Sequence, residues 1–96
     1  MITYQVKINI DPTVEEEWLK WMKTVHVPDV IATGLVRSFQ ILQPESVDQI
    51  YVFHYQFDSK ADFEIYKKDF APELKEDVIK RYPDLFTGER EIYHWI

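Results

Sequence analysis

A chain of 96 residues with no cysteine and a formal charge of −6 has the length of one domain, and neither disulfide staples nor thiolate metal sites can hold it together. The acidic balance excludes the basic face that nucleic-acid phosphates require and disfavours docking on an anionic membrane surface. No apolar run approaches the roughly 20 residues of a membrane span. The opening Met1–Gln5 alternates at once, where a signal peptide would be charged and then apolar. A cytoplasmic address is therefore the default expectation. Stability must come from packing or from a partner subunit, and the aromatic content of 16% supplies large side chains to bury.

In chain order, Ile2, Tyr4, Val6, Ile8 and Ile10 alternate with Thr3, Gln5, Lys7 and Asn9, the period of a half-buried strand. Asp11-Pro12 reads as a helix start with Asp11 as N-cap, and Glu15, Glu16 and Glu17 suit the positive end of the helix dipole. Val14, Trp18, Trp21, Met22 and Val25 form one apolar stripe at helical spacing. Pro28 disfavours helical geometry at the residue before it, so the helix is expected to end or kink near His26-Val27. A short second turn then runs to Ala32 and is closed by Gly34. Strand two spans about Leu35 to Leu42, and Pro44 to Asp48 make a turn. Strand three spans Ile50 to Phe57, with Tyr51, Phe53, Tyr55 and Phe57 on one face. Ser59 caps the second long helix, whose stripe is Phe63, Tyr66, Phe70, Leu74 and Val78. Pro72 inside that stripe predicts a kink or a break. Pro83 and Gly88 bracket a loop before a last strand, Glu89 to Ile96.

The order βαββαβ predicts a ferredoxin-like α+β fold, a single domain over residues 1–96 with a four-stranded antiparallel sheet and helices on one face. Two layers leave the other sheet face bare. Thr3, Gln5, Lys7 and Asn9 make it partly polar, while Ile50, Val52 and His54 make it mixed. Such a face is usually covered, and a second copy of the chain is the simplest cover. A homodimer is expected.

Trp18-Leu19-Lys20-Trp21-Met22, then His26-Val27-Pro28 and Ala32-Thr33-Gly34, with Phe70-Ala71-Pro72-Glu73-Leu74 and Arg90 in the last strand, resemble the bacterial domain-of-unknown-function family 4286. That family lies within the dimeric α+β barrel superfamily. The resemblance spans nearly the whole chain. Glu73 departs from the pattern where a basic residue is expected, which argues against an anion site at that position. The resemblance implies two sheets closing into a barrel across a dimer, with the helices outside. The superfamily holds cofactor-free monooxygenases, haem-degrading enzymes, isomerases and stress proteins, so the fold leaves function open.

His26 is the residue to which a catalytic role is assigned. At a helix C-terminus the dipole would favour its protonated form, and Asp29 is near enough in sequence to orient it as an acid-base; capping helix-end carbonyls is the plainer role. The resemblance places that helix end beside a pocket between helices and sheet. Trp18, Met22, Tyr51 and Tyr55 are candidate walls of a ligand site, although an aromatic stripe more often makes core. Arg37, like Lys7, is a charge within a strand that could meet a carboxylate or guard an edge. His54 and His94, on strands three and four, lie about two strand spacings, roughly 10 Å, apart. No HxH or HxxxH spacing marks a metal site, and no phosphate loop or nucleophile elbow is present. No metal or cofactor is expected.

Two functions remain. The first is a homodimer that is non-catalytic or binds a small molecule between helices and sheet. The alternative is a cofactor-independent enzyme, monooxygenase- or isomerase-like, acting on a small aromatic or carboxylate metabolite with His26 as acid-base. An enclosed pocket reached by His26 favours the enzyme. A space filled by Trp18, Trp21 and phenylalanines opposes it.

Overall fold

The computed structural model describes residues 1–96. The strands are β1 (Ile2–Ile10), β2 (Val36–Leu42), β3 (Ile50–Phe57) and β4 (Phe86–His94), in the antiparallel order β2-β3-β1-β4. The helices are α1 (Glu15–Trp21), α2 (Val27–Ala32), α3 (Lys60–Asp69) and α4 (Ala71–Arg81), with a five-residue π-turn, Met22–His26, joining α1 to α2. This is the ferredoxin-like α+β fold. Cross-strand partners share a face, so the register places Tyr4, Val6 and Ile8 in one row with Tyr55, Phe53 and Tyr51 of β3 and with Ile92, Arg90 and Gly88 of β4. That row faces the helices. It supplies most of the core together with Trp18, Met22, Val27, Val30, Phe63, Tyr66 and Val78.

The first helical region departs from the expected stop. The helix runs on past Val27, whose N–H donates to the Met22 carbonyl five residues back. Pro28 has no N–H to give and its ring crowds the carbonyl four residues before it; one wide turn accommodates both. The extra residue resets the stripe. Trp18, Met22, Val27 and Val30 are buried, whereas Val25, which helical spacing put on the inner face, is 40% exposed. Gly34 closes the segment at φ +78, a conformation open to glycine without strain.

Other boundaries follow their expected causes with adjustments. Asp11 accepts from the Thr13 backbone N–H at 2.9 Å and from its hydroxyl at 2.6 Å. It thus caps a preliminary turn, and α1 begins only at Glu15. Ser59 is the N-cap of α3, accepting from the Asp62 N–H at 3.1 Å. Pro72 sits in the first turn of α4, and the break falls at Phe70. β4 starts earlier than expected, because Asp11 N–H donates to the Leu85 carbonyl at 2.8 Å and carries the β1 pairing down to Phe86. Gly88 is therefore a strand residue opposite Ile8, not part of a loop.

The far face carries Thr3, Gln5, Lys7 and Asn9 beside Gln56, His54, Val52 and Ile50 of β3 and Tyr93, Glu91, Glu89 and Thr87 of β4. No helix covers it. Trp95 folds over one corner, donating from Nε1 to the Thr3 hydroxyl at 2.6 Å.

Candidate functional site

Helix α4 stands off the sheet. The gap between it and β1, β3 and β4 is a half-open cavity of about 370 Å³. Its floor is Tyr4, Val6 and Ile8 of β1 with Phe53 and Tyr55 of β3, and Ala71, Leu74 and Val78 of α4 form the roof. Met22 and His26, four residues apart on the π-turn, close one end, and Phe86 and Arg90 line the β4 side. A second half-open space of about 470 Å³ adjoins it past Tyr4, Tyr66 and Arg90, adding Phe63, Glu91 and Ile92.

Three tyrosines gather here. Tyr4 stands 6.4 Å from Tyr55 and 6.3 Å from Tyr66, ring centre to ring centre. Burial pushes all three hydroxyls above the ordinary tyrosine range, and the Arg90 guanidinium only partly counters this at Tyr4 and Tyr66. They are therefore neutral hydrogen-bond donors at physiological pH.

His26 reaches the cavity, but its electrostatics reverse the expectation. The helix does not end at His26, so no dipole terminus lies there. Burial lowers its pKa, and the nearby Asp29 and Asp77 carboxylates only partly offset this. The ring is half-buried and stacks on Trp21 at 5.8 Å with 29° between planes, a contact across five residues that the wide turn brings together. It makes no hydrogen bond within the protein, to Asp29 or any other group, so it caps no carbonyl. The cavity is thus reached by an imidazole that is neutral near pH 7.

The sign of the pH effect follows. Because the folded-state pKa lies below the ordinary 6.5, the unfolded chain binds the proton first as pH falls. This contribution to stability is full above about pH 6.5 and is lost as the pH drops through the folded-state value. His26→Phe keeps an aromatic ring against Trp21 and removes the titration. Urea midpoints measured at about pH 7.5 and about pH 5.5 are expected to fall less in the variant than in the wild type. Equal falls would show that His26 is not held neutral.

Of the ligand-site candidates, Met22 and Tyr55 line the cavity and three others do not. Trp18 is 0% exposed and sealed in the core against Tyr51 and Phe53, at 5.2 and 5.9 Å. Tyr51 lies on the same row as Tyr55 but at its other end, donating to Glu15 Oε2 at 2.6 Å; burial and that carboxylate push its hydroxyl up to about 12. Arg37 occupies a β-bulge between Val36 and Ser38 and pairs with Asp58 at 2.6 Å. Both side chains of that pair are exposed. Lys7 points out from the far face. His54 and His94 are farther apart in role than two strand spacings suggest: they lie on opposite faces, His54 with Gln5 at 2.8 Å and His94 in register with Ile2. No group of three or more His, Asp or Glu side chains is arranged to hold a metal.

The sequence pattern puts Tyr4 and Tyr66 in the core and assigns no role to Lys67 and Lys75, which edge the cavity. The available signal was chemical: tyrosine, not phenylalanine, in two inward stripes, with an arginine on the helix-facing row of β4.

Residues 1–95 match the model of a family described as Domain of unknown function (DUF4286). The chain belongs to that family. Its fold is shared by solved structures of low identity. A putative antibiotic biosynthesis monooxygenase from Nitrosomonas europaea aligns with a TM-score of 0.74 at 16% identity, covering 100% of this chain and 99% of the other. SnoaB, a cofactor-independent oxygenase from Streptomyces nogalater, gives 0.71 at 11%, covering 99% and 92%. HapK from Hahella chejuensis gives 0.75 at 14%, covering 100% and 93%. At these identities the likeness establishes the DUF4286 fold alone. No curated protein matches the chain. No helix is long and apolar enough to cross a membrane.

Proposed function

We propose that this DUF4286 protein binds a small, flat, largely apolar metabolite between α4 and the sheet. The observation that carries the reading is the cavity itself: about 370 Å³, within the range of small-molecule sites, with aromatic and aliphatic walls and three neutral tyrosine hydroxyls to orient a guest. Ala71 lines both the cavity and its adjoining depression, so Ala71→Phe projects a ring into the space they share. A bound aromatic ligand at a hundredfold excess over its Kd is expected to stabilise the wild type by about 2.7 kcal/mol. Ala71→Phe is expected to abolish that thermal shift. A shift that survives the substitution places the ligand elsewhere.

A second reading is enzymatic, and His26 favours it. A neutral, unpaired imidazole on the cavity wall is a competent general base, able to take a proton from an acidic C–H or a phenolic O–H of the guest. The electron-rich anion so formed is the kind of species that reacts with dioxygen without a cofactor, which agrees with the oxygenases among the fold relatives. Dioxygen uptake with ligand present, lost in His26→Phe while binding persists, separates the two readings.

The working form is a homodimer joined through the far sheet face, in the cytoplasm. Leu42 and Tyr93 are 45% and 46% exposed there, and Trp95 is 58% exposed at its corner. An uncovered sheet face of this composition is a surface for association.

A further inference from the structure

Resting on the cavity reading above, we propose that the site selects a ligand with one carboxylate, held by the Arg90 guanidinium, with the aromatic body of the ligand lying between α4 and the tyrosines. Three observations carry this. First, the inner cavity has Arg90, Lys67 and Lys75 on its lining and no aspartate or glutamate, in a chain whose acidic residues outnumber its basic ones 17 to 11.

Second, Arg90 has no carboxylate partner. The ion pairs of the chain are Arg37–Asp58, Lys80–Glu76 and Arg81–Glu17, and none involves the cavity cations. Arg90 is flanked in sequence by Glu89 and Glu91, but strand alternation sends those to the far face, opposite Lys7 and Gln5. Glu91 edges only the outer depression. Asp29 and Asp77 act on His26 and are not part of the lining.

Third, the guanidinium lies close over Gly88. Gly88 is the neighbour of Arg90 on the same strand face, and a Cβ there would stand 3.6 Å from Arg90 Nη1. The arginine thus lies along the strand over the glycine, at the β4 side of the cavity. A planar fork so placed matches a carboxylate with two parallel N–H donors. The neighbouring Tyr4 and Tyr66 hydroxyls can donate to the same anion.

The test is calorimetric titration with 2-naphthoate and its neutral isostere 2-naphthamide. Naphthoate is expected to bind the wild type about tenfold more tightly or better, the range of a hydrogen bond to a charged group. Arg90→Gln is expected to remove that preference while leaving naphthamide binding in place, and Arg90→Lys to restore only part of it. Ala71→Phe is expected to weaken both probes. Equal binding of the two probes by the wild type, or a preference that survives Arg90→Gln, overturns the carboxylate anchor and leaves the cavity reading intact. Binding of neither probe, or binding unaffected by Ala71→Phe, overturns the cavity reading and the anchor with it. Circular dichroism of each variant confirms that the fold is retained, as the exposed position of Arg90 on an edge strand leads one to expect.

Discussion

Trp18→Ala is expected to cost about 3–5 kcal/mol, and Trp18→Phe less than about 1 kcal/mol. Trp18 is 0% exposed and packs its indole at 5.2 Å from the Tyr51 ring and edge-on at 5.9 Å from Phe53. Truncation to alanine removes the whole indole from a site walled by the β3 aromatics, which cannot collapse far. A domain of this size has about 5–15 kcal/mol in total, so the alanine variant sits near the edge of folding. Phenylalanine is different. It loses part of the ring volume, but it also removes an indole N–H that is buried without a hydrogen-bond partner, and such a group costs about 1–3 kcal/mol. The two terms oppose each other. Urea denaturation of the three proteins decides the matter: a phenylalanine variant as damaged as the alanine variant would mean that the N–H is satisfied in the folded state. Either way Trp18, sealed in the core, acts on the fold.

The legible parts of this chain were those governed by local rules. Alternation in Ile2–Ile10 and the aromatic row of β3 gave two strands, Ser59 gave a cap, and Pro72 gave the break between α3 and α4. The order of elements then fixed the fold class, and the helix-one segment led to the DUF4286 family. What was not legible depends on how turns are wound and how far elements stand apart. Pro28 signalled trouble in the first helix, but not that the chain would answer with a π-turn in place of a stop. That single residue of extra winding moves Val25 outward, carries His26 into a cavity, and removes the helix end on which a raised histidine pKa depended. Gly88 reads by type as a loop residue, whereas pairing with Ile8 keeps it in the sheet, beside Arg90 on the same face. The cavity itself comes from α4 standing away from β1 and β4, and no stripe in α4 encodes that distance. Hence the stripes alone put Tyr4 and Tyr66 in the core and offer Trp18 and Tyr51 as walls.

Val52→Glu is expected to convert the proposed dimer to a folded monomer. Val52 lies on the far face, in register with Lys7 of β1 and Leu42 of β2. In a monomer the new carboxylate is solvated and has a cross-strand lysine as its neighbour, an arrangement worth a few tenths of a kcal/mol and no threat to the sheet. In the proposed dimer the same carboxylate is buried against a second sheet. Lys7 already faces Glu89 across the other side of β1, so it cannot fully neutralise two acids. A buried charge without a full partner costs about 3–5 kcal/mol, and twofold symmetry introduces it twice. Association then weakens by several orders of magnitude at about 1.4 kcal/mol per tenfold. Light scattering at micromolar concentration should report twice the chain mass of 11.6 kDa for the wild type and the single mass for the variant, with circular dichroism unchanged. A wild type of single mass removes the dimer, and a variant that stays dimeric moves the interface off this face. The two sites are separable by construction. The cavity opens on the helix side of the sheet and Val52 faces the other way, so the monomeric variant should keep its affinity for a ligand held between α4 and β1.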